Sequence, residues 1–156
     1  MNNNRGMLLE TIINNTIKQY KQKGVAIFHK KSLDIKFSAL DGTKKIKNGV
    51  IISKSTVDYY GIYQGSFVAF EAKSSKTNTI PKNNFKVHQH NYLKTIKKHG
   101  GLAFYILLFK ETNAFFLVDV SLINYEKKSI TIQYVRDKAI ELDLLFPGVI
   151  DFVKYF

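Results

Sequence analysis

Cysteine is absent from the sequence, so neither disulfide bonds nor zinc sites built from thiolates are available to the fold. Long hydrophobic runs are also missing, because no apolar stretch approaches the roughly 20 residues that a membrane-spanning helix needs. Residues 1–6 lack the apolar segment of a secretion signal. We therefore expect a cytoplasmic protein without a membrane partner.

Arginine is scarce: Arg5 and Arg136 are the only two, although lysine and arginine together number 24 against 12 acidic residues. The net charge of +12 predicts a polyanionic partner, and nucleic acid is the polyanion that such a charge favours. Lysine binds phosphate as a point charge, whereas bidentate reading of guanine favours arginine. The composition therefore favours recognition of nucleic-acid shape over sequence, with codon bias as the alternative origin of the lysine excess.

The 156 residues, 45% of them hydrophobic, are enough to bury the core of one domain, and no linker or repeat divides them. Hydrophobic periodicity predicts two helices, over residues 7–20 and 85–99. It predicts strands over residues 25–28, 33–37, 58–63, 67–73, 102–109, 114–118 and 130–135, with a polar loop over 74–84. This order predicts a single α/β domain, residues 1–156, in which helices flank a mixed sheet.

A charged pair follows one of the predicted core strands. Residues 67–70 are apolar at every position, which is typical of a strand buried on both faces. Glu71 and Lys73 come next and lie two residues apart, so their side chains point to the same face. Charged groups are rarely buried unless they are paired or bind a metal. A cleft that holds a divalent cation would explain both residues.

Asp58 adds a second carboxylate on the predicted strand just upstream. Two acids and a lysine at this spacing are typical of a metal-dependent nuclease site. In the alternative interpretation, Glu71 and Lys73 form a solvated strand end and Asp58 is an ordinary turn carboxylate. Histidine-based metal chemistry is disfavoured, because His88 and His90 do not share a helix face.

Residues 38–54 form a polar, basic segment with turn signals. Its lysines are Lys44, Lys45, Lys47 and Lys54. Taken alone, the segment is typical of a solvated loop or hairpin. In so basic a protein it is equally an arm that contacts phosphates.

Motifs spread over most of the chain carry a resemblance to a known family. They are Gly6-Met7-x-Leu9-Glu10, Ile27-x-His29-Lys30-Lys31, Ser55-Thr56-x-Asp58-Tyr59-x-Gly61-Ile62-Tyr63-x-Gly65, Phe70-Glu71-Ala72-Lys73, His88-Gln89 and Gly101-x-Ala103-Phe104. Together they resemble the RecU family of Holliday-junction resolvases. The resemblance implies a restriction-endonuclease-like core, a homodimer, and a basic stalk of residues 38–54 that enters the junction centre. Val57 departs from the proline or threonine usual before the first acid.

The resemblance also implies paired, symmetric nicks in DNA junctions by metal-dependent hydrolysis, in recombination and repair. Asp58, Glu71 and the backbone carbonyl of Ala72 would hold Mg²⁺, with Mn²⁺ as the alternative ion and Glu10 as a further ligand through water. Lys73 would orient the attacking water, and Gln89 would position that water or Lys73. The residues expected to contact DNA phosphates are Lys30, Lys31, Lys44, Lys45, Lys47 and Lys54.

Three other interpretations remain open at this point. A duplex-cutting restriction or repair nuclease on the same core would favour arginine-rich, base-reading loops, which the sequence lacks. A non-catalytic protein that binds junctions or bridges DNA would not need Asp58, Glu71 and Lys73 together. An RNA-binding module would show an aromatic strand signature, and none is present. A recombinase and a branch-migration helicase are protein partners that the resemblance alone implies.

Overall fold

The computed structural model describes residues 7–37, 49–53 and 56–156. Three α-helices occur in this part of the chain: α1 (Met7–Gln22), α2 (Val87–Lys98) and α3 (Ile132–Lys138). The strands found there are β1 (Ile27–Lys30), β2 (Ile35–Phe37), β3 (Gly49–Ile51), β4 (Tyr59–Tyr63), β5 (Ser66–Ser75), β6 (Thr79–Pro81), β7 (Leu102–Phe109), β8 (Ala114–Asp119), β9 (Ser129–Thr131), β10 (Ile140–Leu142), β11 (Leu144–Leu145) and β12 (Val149–Ile150). None of the described helices has the length and apolar character needed to cross a bilayer.

The central sheet has six strands in the order β1-β4-β5-β7-β8-β10. Neighbouring strands are antiparallel except β5 and β7, which are parallel. A parallel pair needs a crossover connection, and here the chain makes it through α2. The predicted mixed α/β sheet flanked by helices is therefore confirmed.

The β4–β5 hairpin brings the two predicted acids together. Gln64 and Gly65 both have positive φ, 46° and 81°, as a two-residue hairpin turn of type I′ requires. The turn sets a register in which Tyr59 faces Phe70. Asp58, the residue before Tyr59, is thereby placed beside Glu71 on the neighbouring strand.

Each face of the sheet is covered by its own core. One core joins α1 to the even-numbered residues of β5 and β7, such as Phe70 and Phe104. The other joins α2 and α3 to the odd-numbered residues, such as Ala69 and Tyr105. Because side chains alternate along a strand, Glu71 and Lys73 share the face of Ala69, beneath α2. The predicted helix over residues 7–20 is confirmed as α1, whose apolar stripe is buried.

The strand predicted over residues 130–135 is wrong. Only Ser129–Thr131 is extended, and a helix starts at Ile132. The Thr131 hydroxyl accepts a hydrogen bond from the backbone N–H of Tyr134 and so caps that helix. Ile132 and Val135, three residues apart, are buried on one helix face. Burial at that spacing and the cap together outweigh the β-branched composition that suggested a strand.

Three smaller expectations also need correction. The loop predicted over residues 74–84 contains β6, which pairs with β9. The strand predicted over residues 25–28 begins two residues later, at Ile27, because it follows the register of β4. Phe67, predicted to be buried with residues 68–70, is 43% exposed, since it lies at the hairpin end of β5.

The predicted stalk lies mostly outside the described residues, as do Lys44, Lys45, Lys47 and Lys54. Residues 49–53 of the predicted stalk are described, and so is β2 directly before it. β2 and β3 form an antiparallel pair of their own, with Ile35 facing Ile51, and this pair is separate from the six-stranded sheet. The chain therefore leaves the core at β2 and returns at β3 through an independent ribbon.

Candidate active site

Glu71 is fully buried, with 0% of its surface exposed, in the middle of β5. Its Oε2 accepts a hydrogen bond of 2.5 Å from the Lys73 ammonium. Its Oε1 has no hydrogen-bond partner, the one such buried side-chain atom in the described part of the chain. A buried carboxylate oxygen without a partner is costly. The interpretation of Glu71 and Lys73 as a solvated strand end is therefore wrong.

Asp58 lies against the same stretch of β5. Its Oδ2 accepts a 3.1 Å hydrogen bond from the backbone N–H of Ala72. Burial of the Glu71 carboxyl, followed by the nearby charge of Asp58, raises the pKa of Glu71 from 4.5 to about 8, and Lys73 only partly offsets this. Two carboxylates are thus held together in a place that lacks sufficient positive charge.

Lys73 is held from two sides. Besides its bond to Glu71, its ammonium donates a 3.2 Å hydrogen bond to Oε1 of Gln89 on α2. Gln89 is 7% exposed, although it carries an amide in the apolar stripe of that helix. The family resemblance implies that Gln89 positions either the attacking water or Lys73, and its observed hydrogen bond is to Lys73. The catalytic roles of Lys73 and Gln89 stay predictions.

The two carboxylates fit a hard divalent cation. Mg²⁺ prefers oxygen ligands and keeps several waters, so it needs few protein groups. The unpartnered Oε1 of Glu71 and the adjacent Asp58 are such ligands, and their mutual repulsion would be relieved by a cation. Within the described residues no group of three or more His, Cys, Asp or Glu side chains is arranged around a common point. Water and backbone oxygen would therefore have to complete the coordination.

Glu10 and Lys30, predicted to act at the metal and at phosphate, lie next to each other. The Lys30 ammonium is 2.6 Å from Oε2 of Glu10, and both side chains are nearly half exposed. Lys31 instead donates to the hydroxyl of Thr56 at 3.1 Å. The backbone N–H of Lys31 donates to the carbonyl of Asp58 at 2.8 Å, so the end of β1 adjoins the site from the side of α1. The roles of Glu10, Lys30 and Lys31 stay predictions.

Comparison with known proteins identifies the family. The sequence profile described as RecU, recombination protein U, matches residues 4–156. The chain is 42% identical over 153 residues to the Holliday junction resolvase RecU of Mycoplasmopsis pulmonis, covering 97% of this chain and 93% of that protein. It is 38% identical to the Holliday junction resolvase RecU of Ureaplasma parvum, over 98% of this chain and 92% of that protein. The chain belongs to the RecU family.

A solved structure supports the fold that RecU membership implies. The structure of Archaeoglobus fulgidus Hjc, a Holliday junction resolvase, superimposes with a TM-score of 0.54, covering 85% of this chain and 94% of that chain. The two sequences are only 12% identical, so the similarity concerns the fold alone. The predicted restriction-endonuclease-like core is confirmed.

Tyr59, a residue of the RecU motif, and the adjacent Tyr60 have different surroundings. Tyr59 is fully buried and stacks on Phe70, with 4.9 Å between ring centroids. Its hydroxyl donates to the side-chain oxygen of Asn14 on α1 at 3.1 Å. Tyr60, on the other face, is 37% exposed. Tyr59 therefore belongs to the core, and only Tyr60 presents its ring to solvent.

A buried polar pair beside the site was missed in the sequence. Nδ1 of His90 and the hydroxyl of Tyr105 are 3.1 Å apart, and both residues are buried. Tyr105 faces Glu71 in the register of β5 and β7. His90 directly follows Gln89, so consecutive residues of α2 form hydrogen bonds to two neighbouring strands. In the sequence, His90 is only a histidine on a predicted helix and Tyr105 only a tyrosine on a predicted strand. The pairing of β5 with β7 is what brings their hydrogen bond beside Glu71.

Proposed function

We propose that this RecU protein is a structure-selective DNA endonuclease that resolves Holliday junctions by paired, symmetric nicks in recombination and repair. The reaction is metal-dependent hydrolysis of a phosphodiester, with Mg²⁺ as the ion and Mn²⁺ as its substitute. The observation that carries the chemistry is the buried carboxylate of Glu71, which has one oxygen paired with Lys73 and the other without a partner. RecU membership supports the junction as the substrate.

The acids bind the ion in this proposal. Asp58, Glu71 and the backbone carbonyl of Ala72 would hold it, and Glu10 would assist through water. When bound, the ion polarises the scissile phosphate and lowers the pKa of a coordinated water. Glu71 is prevented from turning away because its Oε2 is tied to Lys73. Asp58 is oriented by the N–H of Ala72.

Lys73 provides the positive charge in the reaction. An ammonium has three N–H donors, and Glu71 and Gln89 take one each. The third donor is available to the attacking water or to the phosphate oxygen on which charge grows. Gln89 acts by holding that ammonium in one orientation. Lys30 and Lys31 lie at the edge of the site, at the end of β1, and contact phosphates of the DNA backbone on that side.

Selective cleavage of a junction requires two active sites and a part of the protein that recognises the shape of the junction. A four-way junction has two-fold symmetry, so a two-fold homodimer would place the same chemistry on two opposed strands. The single domain of residues 1–156 would carry residues 38–54 as a stalk, whose basic side chains enter an open junction centre. The β2–β3 ribbon is a suitable base for such a stalk, because it leaves the main sheet as an independent pair. We place the protein in the cytoplasm, with a recombinase and a branch-migration helicase as partners.

The experiment that tests this function is cleavage of a labelled mobile four-way junction with Mg²⁺, beside a linear duplex of the same sequence. Asp58→Asn and Glu71→Ala are the test variants. Asp143→Asn, a change at an exposed acid remote from the site, is the matched control. We expect paired nicks in the junction alone, lost in both test variants and kept in the control, while junction binding persists in all.

Two other outcomes identify the rival functions. Junction binding without cleavage by the wild type would mean a non-catalytic protein that binds junctions or bridges DNA. Equal cleavage of the linear duplex would keep the active site but indicate a duplex-cutting restriction or repair nuclease.

A further inference from the structure

A cavity of about 300 Å³ opens where β5 leaves the active site. The residues that line it are Ser74, Ser75, Lys76, Pro81, Asn84 and Lys110. Ser75 is two residues beyond Lys73, so both side chains point to the same face of the strand, roughly 7 Å apart at about 3.4 Å per residue. That separation is comparable with the distance between successive phosphates of a DNA strand. The cavity therefore lies about one phosphate spacing from Lys73 along β5.

The lining has the chemistry of a phosphate site. Among the lining residues, Lys76 and Lys110 carry ammonium groups and Asn84 carries an amide, and none of the six residues is acidic. Ammonium groups bind phosphate as point charges, and hydroxyl and amide N–H groups donate to its oxygens. The volume of about 300 Å³ is ample for one phosphodiester group. An anionic ligand of that size is thus favoured over an apolar or cationic one.

The walls of the cavity are fixed by backbone contacts. The N–H of Lys110 donates to the carbonyl of Ser75 at 2.9 Å, which joins the ends of β5 and β7. On the other side, Pro81 leads into a short 3₁₀ turn that contains Asn84 and is closed by a 2.9 Å bond from Phe85 N–H to the Lys82 carbonyl. Phe85 is 2% exposed and anchors this turn in the core. The cavity is consequently present before any DNA is bound.

We propose that this cavity, the flanking-phosphate pocket, binds the backbone phosphate adjacent to the scissile one. The inference rests on the proposed nuclease function and adds a site to it. Lys76 and Lys110 supply the charge, and the side-chain amide of Asn84 supplies a neutral donor. The Ser75 hydroxyl lies 3.2 Å from both the backbone N–H and the hydroxyl of Thr77, so it shapes the wall. Binding there fixes the direction and register of the cleaved strand, so that the scissile phosphate meets Lys73.

The test combines protein and DNA changes. The double variant Lys76→Ala/Lys110→Ala removes both charges of the pocket. Lys21→Ala/Lys154→Ala removes two exposed lysines from other surfaces and is the matched control. Both are compared with the wild type on a junction whose phosphate next to the cleavage site is replaced by a neutral methylphosphonate, placed on either side in separate substrates. A substrate with the methylphosphonate several nucleotides away is the DNA control.

We expect the pocket variant to bind the normal junction about tenfold more weakly in Ca²⁺ than the wild type, with a log–log salt slope smaller by about 0.9 for one lost phosphate contact. One of the two adjacent methylphosphonates should weaken the wild type equally and remove the difference between wild type and variant. The remote methylphosphonate should leave that difference intact. Thermal melts check that every variant is folded.

If the lysine substitutions weakened junction binding by the same factor on the normal junction and on both adjacent methylphosphonate junctions, the proposed pocket would be overturned. A pocket variant that binds and cleaves like the charge-matched control would also overturn it. Failure of the proposed function has a different signature, since the wild type itself would then leave the junction uncut with Mg²⁺ and Mn²⁺. The pocket is still judged in that case, because the binding comparison does not require cleavage.

Discussion

Lys73 and Glu71 form an ion pair between neighbouring same-face positions of one strand, and that pair satisfies only half of the Glu71 carboxylate. The ammonium lies 2.5 Å from Oε2, while Oε1 is buried without a partner. Desolvation is so strong at this position that the pKa of Glu71 rises to about 8 even beside a cation. The site is therefore built at a cost to stability, as is common where function needs a buried charge.

The first prediction concerns stability and pH without divalent cations. The folded pKa of Glu71 is raised above its ordinary 4.5, so the folded state binds the extra proton and stability is lost as pH rises from 4.5 towards 8. Relative to Glu71→Gln, the wild type should lose on the order of 3 kcal/mol of unfolding free energy between about pH 5.5 and about pH 8.5. Denaturant melts in EDTA measure this.

Two further measurements sharpen that result. Glu126→Gln, at an exposed position, should follow the wild type at both pH values. Adding Mg²⁺ at the higher pH should raise the melting temperature of the wild type and not that of Glu71→Gln, because a bound ligand stabilises only the state that binds it. An identical Mg²⁺ effect on both proteins would place the ion elsewhere.

The second prediction concerns Gln89. Removing its amide in Gln89→Ala frees the Lys73 ammonium from one of its two partners, so the turnover rate should fall by about tenfold to a hundredfold through lost orientation. Junction affinity should change little, since Gln89 is buried and positions another residue. Single-turnover cleavage and binding in Ca²⁺ separate the two effects. Asn91→Ala, on the exposed face of the same helix, is the control and should cleave normally.

The third prediction concerns the His90–Tyr105 pair. Tyr105→Phe removes one hydroxyl and leaves Nδ1 of the buried His90 without a partner, which should cost about 1–3 kcal/mol of stability. Replacing both residues, in Tyr105→Phe/His90→Leu, should recover part of that loss, because no unpaired polar group remains. Urea unfolding of the two single variants and the double variant gives the coupling energy. Additive losses would mean that the hydrogen bond has no energetic role.

The fourth prediction concerns Gly61, where β4 approaches β1. A Cβ there would lie 2.1 Å from the carbonyl oxygen of Ile27 and 2.6 Å from the ring of Phe28. Gly61→Ala should therefore separate the two strands and cost about 3 kcal/mol. Ile62→Ala, at the adjacent and half-exposed position, should have a much smaller effect on the melting temperature. Comparable destabilisation by the two changes would contradict the close-approach explanation.

Local pattern predicted the elements whose burial is regular. α1, α2, β7 and the β4–β5 hairpin all lie where their apolar spacing or turn residues placed them. Prediction failed where composition and spacing disagreed, as in the segment that became α3. There, a single side-chain cap at Thr131 and two core contacts outweighed the β-branched residues. The cap is one hydrogen bond within a single turn, and two buried positions are too few to give a clear helical period. The core that buries Ile132 and Val135 is built by residues far away in the chain, which a short segment does not show.

The sequence by itself determined the acids and the lysine of the site, because alternation along one strand is enough to put Glu71 and Lys73 on a common face. It also determined the family, through motifs that run most of the length of the chain. Tertiary structure alone decided which groups meet that face. The parallel pairing of β5 with β7 brings Tyr105 beside Glu71, and the packing of α2 brings Gln89 to Lys73. The packing of α2 over the sheet is also what removes Glu71 from solvent, because a strand residue is completely buried only when a helix covers its face.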